Sequence, residues 1–266
     1  MSGAALIGAA PVTAERRFAG LERLYGVSGA AAIRCAHVVV VGLGGVGSWA
    51  AEALARSGVG ELTLIDLDHV SDSNINRQIQ ALDSTVGQAK VQAMRERIAQ
   101  IHPACAVHCV EEFVGDGNWL QLLPASADAV IDACDQVKAK TEMAAWAART
   151  RRLFISAGAA GGKRLAHEVA IEDLSRTTHD PLLAQLRYRL RKFHGAPREG
   201  KRIGVTCVFS REAVAPPDAS CDLPGDGSLN CSGYGSVVSV TATFGLCAAG
   251  WVIDRLASRE RPNTTL

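Results

Sequence analysis

The segment from His37 to Asp66 constrains this chain more than any other. His37 to Val41 (HVVVV) is a short β-branched run that fits a strand buried on both faces. It runs into GLGGVG, where Gly42, Gly44 and Gly47 stand in G-x-G-x-x-G spacing, and Ser48 to Ser57 then reads as a helix ended by Gly58. Glycines at that spacing let backbone N–H groups and a helix N-terminus approach a phosphate. Glu61 to Asp66 (ELTLID) reads as the next strand, and Asp66, 19 residues after Gly47, can accept hydrogen bonds from ribose hydroxyls. The segment is therefore expected to be a nucleotide-binding βαβ unit. Dehydrogenases, methyltransferases and nucleotidyl-transferring enzymes share this turn, so the nucleotide must be chosen by residues further on.

Strand and helix signals keep alternating. Helices are expected at Gly87–Ile101 and Lys138–Arg149, and strands at Ala106–Val110, Ala129–Asp132 and Leu153–Ser156, the last entering the turn Gly158–Gly162. This pattern predicts an α/β fold, a Rossmann-like, doubly wound, mostly parallel sheet covered on both faces. After about residue 172 the alternation breaks. Pro181–Phe193 reads as a basic amphipathic helix, Gly204–Ser210 as a strand, 215–230 as a loop rich in Pro, Gly and Asp, and Val237–Leu256 as a last helix, an α+β extension of the core. The expected organisation is an N-terminal helical arm over 1–36, a nucleotide-binding core over 37–172, and a C-terminal part over 173–266. With 48% apolar residues in 266, the chain can bury a substantial core.

Polar residues after the second strand point to a triphosphate. Asp66, Asp68, Asn74, Asn76, Arg77 and Gln78 stand in DLDHVSDSNINRQ, Lys90 ends VGQAK, and Asp135 closes DACD. A triphosphate requires cationic clamps and usually Mg²⁺; Arg77 and Lys90 would supply the cations and Asp135 a metal ligand. A dinucleotide needs none of these, so an NAD-binding dehydrogenase leaves all three without a role.

In this order, GLGGVG, LIDLD, NINRQ, VGQAK and DACD, the motifs resemble the adenylating domain of the ubiquitin-activating-enzyme superfamily, which includes bacterial activators of sulfur-carrier proteins. The resemblance implies ATP and Mg²⁺ as cofactors. It implies Gly42, Gly44, Gly47, Asp66, Asp68, Asn74 and Gln78 as nucleotide-binding residues, Arg77 and Lys90 as phosphate clamps, and Asp135 as the Mg²⁺ ligand. RFAGLERLYG, the GAAGG turn, DPLLAQLRYRLR, CVFSREA and VTATFGL narrow it, from Arg17 to Leu256, to a likeness to the tRNA threonylcarbamoyladenosine dehydratases. That family's activity is ATP-dependent cyclisation of N6-threonylcarbamoyladenosine beside the tRNA anticodon. The alternative is an adenylyltransferase for a sulfur-carrier protein. The resemblance further implies a homodimer, a trans-acting arginine at either Arg17 or Arg23, and a cysteine desulfurase or sulfur-acceptor system as partner.

Charge separates the halves. Residues 1–133 carry 9 basic and 14 acidic side chains, a net −5, and residues 134–266 carry 19 and 13, a net +6. A polyanion should meet the second half. Within it, Arg187, Arg189, Arg191, Lys192, Arg198, Lys201 and Arg202 face one acid, Glu199, with Tyr188, Phe193 and His194 interleaved, as a single-stranded anticodon loop would require.

Eight scattered cysteines with no CxxC pair read as reduced thiols, without zinc. His102, Cys105, His108 and Cys109 have ligand-like spacing but straddle a strand whose neighbours face opposite sides. Cys231 reads as a buried small residue, since ring closure uses the substrate's own carbamoyl group and needs no thioester. The first charge is Glu15, so no secretory signal is expected. The uncharged stretch across 233–253 meets the length of a membrane span, but its serines and threonines favour a buried helix, and the expected location is the cytoplasm.

Overall fold

The computed structural model describes residues 14–115, 117–198, 200–218, 220 and 234–258. A seven-stranded sheet organises the chain, in the order β3-β2-β1-β4-β5-β7-β6. Its strands are β1 (His37–Val41), β2 (Glu61–Ile65), β3 (Ala106–Val110), β4 (Ala129–Asp132), β5 (Leu153–Ala157), β6 (Val169–Asp173) and β7 (Thr206–Ser210). All neighbours pair in parallel except β6 and β7. Val38 to Val41 are each at most 3% exposed, as a central parallel strand covered on both faces requires.

Helices cover both faces: α1 (Ala14–Arg34), α2 (Gly47–Arg56), α3 (Lys90–Ile101), the short α4 (Trp119–Leu122), α5 (Val137–Thr150), α6 (Pro181–Phe193) and α7 (Val238–Ala257). The helix expected from Gly87 begins only at Lys90, because Gly87 has φ +88 and Ala89 is extended, bridged to His69. One strand, β6, has no counterpart in the sequence reading. Its residues Val169 to Glu172 are only half-buried, so it lacks a continuous apolar run and is held by its ladder to β7. The expected strand Gly204–Ser210 starts at Thr206, since Gly204 takes φ +83.

The apolar C-terminal helix α7 lies in the core. Val240, Phe244, Ala248, Val252 and Leu256, at four-residue steps, are at most 3% exposed. Gly245 permits its approach to α2, where a Cβ would come 2.3 Å from the Val46 carbonyl oxygen.

Strand order reverses between β1 and β4, the strands that lead into the glycine turn and into Ala133–Gln136. In an open parallel sheet, that reversal leaves a crevice beyond the carboxyl ends of the two strands.

Candidate nucleotide site

A cavity of about 330 Å³ opens in this crevice. Gly42, Gly44, Asp66, Asp68, Asn74, Arg77, Gln78, Lys90 and Asp135 all line it, together with the wall Gly158–Gly161. Of the nucleotide-site residues singled out in the sequence, Gly47 and Asn76 stand outside the lining. A Cβ at Gly47 would lie 1.8 Å from the Gly42 carbonyl oxygen, so this glycine closes the turn, whereas at Gly44 a Cβ would meet nothing within 4 Å.

Asp66 directly follows β2 and anchors the glycine turn. Its Oδ2 accepts from the Leu43 N–H at 2.6 Å and its Oδ1 from the Asp68 N–H at 2.8 Å. Burial pushes this carboxyl up, against the opposing pull of Lys90 and the two backbone donors. A carboxylate has about four lone-pair sites, so two remain for hydroxyl donors. Lys90, at the start of α3 and 6% exposed, donates through Nζ to Asp68 Oδ2 at 2.8 Å.

Residues 71–80 form a rim held by reciprocal capping. Asn74 Oδ1 accepts from the Ser71 N–H at 3.1 Å, and Gln80 Nε2 donates to the Leu43 carbonyl at 2.9 Å, tying rim to turn. Arg77 is steadied at both ends: its carbonyl accepts from Trp49 Nε1 at 2.9 Å, and its guanidinium donates to the Ser73 carbonyl at 2.7 Å and Asn76 Oδ1 at 2.9 Å.

Across the cavity, Asp135 is exposed on the loop after β4. The support of this loop has no counterpart in the sequence reading. Asp132 accepts from Lys140 Nζ at 2.9 Å, Ser156 Oγ at 2.6 Å and the Cys134 N–H at 3.2 Å, beneath the cavity floor. The first aspartate of DACD, ending a buried strand, is the signal that could have found it. Cys134 also lines the cavity, but burial first and Asp132 second push its thiol far up, so it stays protonated. No three His, Cys, Asp or Glu side chains gather as metal ligands among the described residues. His108 meets Glu61 at 3.0 Å, His102 packs edge-on against Phe18, and burial raises Cys105 to about 11.

The basic stretch divides in two. Arg187 donates to the Leu174 and Thr177 carbonyls, Arg189 to Thr141 Oγ1 at 3.2 Å and Arg191 to the Pro197 carbonyl at 3.1 Å, whereas Arg202 is exposed and lies 3.8 Å from Asp173. Tyr188 (59%) and Phe193 (56%) are exposed on α6, with Lys192 Nζ 5.4 and 5.1 Å from their ring centres. Of the two arginines implied as a trans-acting residue, Arg17 donates to the Ile101 carbonyl within its own chain, and Arg23 is exposed. Cys231 lies outside the described residues.

The chain resembles known proteins over most of its length. Residues 16–266 match the ThiF family. The chain is 42% identical over 248 residues to the tRNA threonylcarbamoyladenosine dehydratase of Haemophilus influenzae, covering 92% of this chain and 95% of that one. It is also 42% identical to the Escherichia coli enzyme of the same name over 254 residues, with 92% and 95% covered. The Escherichia coli molybdopterin-synthase adenylyltransferase is 39% identical, but over 121 residues and 46% of this chain. The crystal structure of the Escherichia coli dehydratase in complex with ATP superposes with a TM-score of 0.83, covering 91% of this chain and 94% of that one. The chain belongs to the ThiF family, among its tRNA threonylcarbamoyladenosine dehydratases.

Proposed function

We propose that the protein uses ATP to close N6-threonylcarbamoyladenosine of tRNA into its cyclic form. The observation that carries this reading is the convergence of the glycine turn, Asp66, Arg77, Lys90 and Asp135 on one cavity, in a chain 42% identical over nearly its whole length to enzymes of that name.

ATP lies with its ribose toward Asp66 and its phosphates between the glycine turn, Arg77 and Lys90. A threonyl carboxylate oxygen attacks the α-phosphorus, and the bond to pyrophosphate breaks. The substrate's carbamoyl group then attacks the resulting acyl carbon, AMP leaves with the former carboxylate oxygen, and the nucleophile's proton passes to solvent. Holding nucleophile and acyl group in one molecule supplies a high effective concentration, so no enzyme nucleophile is needed. The protonated Cys134 is consistent with this.

Asp135 is the Mg²⁺ ligand in this reading. A single exposed carboxylate facing a phosphate site suits Mg²⁺, which keeps several waters and takes one or two carboxylates besides phosphate oxygens. When bound, the metal neutralises phosphate charge. The face of α6 with exposed Tyr188, Lys192 and Phe193, and with half-buried Arg189 and Arg191 beside them, meets the anticodon loop. The protein works in the cytoplasm as a homodimer, a reading supported by eight scattered cysteines without a CxxC pair and by the exposed Leu24, Val27 and Leu246.

The test is ATP-to-AMP turnover with tRNA bearing or lacking the threonylcarbamoyl group. Turnover is expected only with the modified tRNA, and Asp135→Ala should lower kcat by about a hundredfold or more while ATP affinity changes far less. Tighter binding of NAD than of ATP would sink this assignment.

A further inference from the structure

Lys163 follows the Gly158–Gly162 turn and is 2% exposed. Its ammonium donates to three backbone carbonyls: His179 at 3.1 Å, Ser210 at 3.0 Å and Glu212 at 3.0 Å. A lysine has three N–H donors, so each is satisfied. Burial lowers its pKa, and the carboxylates of Asp180 and Glu212 pull the other way. The carbonyls come from two separate segments, the approach to α6 and the end of β7 with its following turn. His179 has φ +54, a conformation that side-chain-bearing residues seldom take, and its carbonyl is one that Lys163 holds.

The turn before Lys163 is stapled through three of its five N–H groups. The Gly158 N–H donates to the Val208 carbonyl at 2.8 Å, Ala159 to Asp180 Oδ2 at 2.9 Å and Gly162 to the Gly235 carbonyl at 3.0 Å. Glu212 accepts from the N–H groups of Arg164 and Leu165. The N–H groups of Ala160 and Gly161, both lining the cavity, have no acceptor among the described residues.

We propose that Lys163 is a positioning residue: by locking the Gly158–Gly162 turn to α6 and β7, it holds the Ala160 and Gly161 amides where they donate to an anionic oxygen of the bound reactants. Adjacent backbone donors fixed in advance suit either a phosphate oxygen or the oxyanion that develops at the acyl carbon. The inference rests on the ATP reading of the cavity.

The test compares full-length wild type with Lys163→Met and Lys163→Arg, measuring hydrogen exchange of amides 158–162, ATP affinity by calorimetry, and turnover per folded molecule. In Lys163→Met, exchange at 160–162 should rise about tenfold, with β1 and β2 unchanged, and kcat/KM should fall about tenfold. Weaker ATP binding would place the phosphate at the two amides, and a lower kcat with ATP affinity intact would place the acyl oxyanion there. Lys163→Arg keeps the charge but presents a planar fork to carbonyls set for an ammonium, so it should show the same changes in smaller measure, and it decides the question if Lys163→Met does not fold. Unaltered exchange, or faster exchange with ATP affinity and kcat/KM both within about twofold of wild type, overturns the proposal. A wild type that binds ATP but never turns it over removes the dehydratase reading and leaves Lys163 to be decided by exchange and ATP affinity.

Discussion

Lys140 Nζ donates to Asp132 Oδ2 at 2.9 Å, with both side chains wholly buried. Burial alone would lower the lysine's pKa, but the Asp132 charge outweighs it and the net shift is upward. The pair joins the end of β4 to the first turn of α5 and so fixes the loop that carries Asp135.

Removing one partner of such a pair leaves an uncompensated buried charge, which costs about 3–5 kcal/mol. Lys140→Met should therefore lower unfolding stability by about that amount, and the double variant Asp132→Asn/Lys140→Met should recover part of it. Denaturant titration of the single and double variants is the measurement, and additive losses would contradict the coupling.

The two glycines should separate. Gly47→Ala drives a Cβ to 1.8 Å from the Gly42 carbonyl oxygen, so it should destabilise the fold by about 2 kcal/mol or more and lose ATP binding as well. Gly44→Ala meets open space and should leave stability within about 1 kcal/mol, while ATP affinity falls because the new methyl stands in the phosphate approach. Thermal unfolding and calorimetry on both variants test the contrast.

Asp173 should make stability depend on acid. Burial works to raise its pKa, but hydrogen bonds from Ser175 and from the Ile203 and Gly204 N–H groups, at 2.9 and 2.8 Å, outweigh it and hold the carboxyl below its ordinary value. A lowered folded-state pKa gives stability that is full above the unfolded value of 3.8 and lost as pH falls through the folded value. The stability gap between wild type and Asp173→Asn should shrink as pH drops from about 5 toward 2. A gap constant over that range would contradict it.

On α6, the variant lacking the positive charges of Arg189, Arg191 and Lys192 should raise KM for tRNA and leave KM for ATP unchanged. Every phosphate left without its cation should reduce the slope of log affinity against log salt by about 0.7 to 0.9. Arg187→Ala, which removes the donor to the Leu174 and Thr177 carbonyls, should act on stability instead. An unchanged salt slope in the triple variant would return this face to a solvated role.

The sheet core and the nucleotide-facing residues were legible because their signals are local. HVVVV, ELTLI and AVID are too apolar and β-branched to sit anywhere but in buried parallel strands, and the glycine spacing fixes the turn that follows the first of them. Asp66, Arg77, Lys90 and Asp135 could be named from order and spacing, and the fold brings them to one cavity because β1, β2 and β4 end on the same side of the sheet.

Tertiary structure decided what depends on partners distant in sequence. The half-buried β6 has no pattern of its own and is a strand only because β7 offers it a ladder. Arg187 and Arg189 look equivalent in LRYRLR, yet the first turns toward the Leu174 and Thr177 carbonyls while the second lies beside Phe193 and donates to Thr141 Oγ1 on α5 at 3.2 Å, a difference set by the helix face each occupies. Asp132, Lys140 and Lys163 read as ordinary charges until the packing closes over them. A charge in a sequence declares its sign but not its burial, and burial determines whether it binds a ligand or holds the backbone that does.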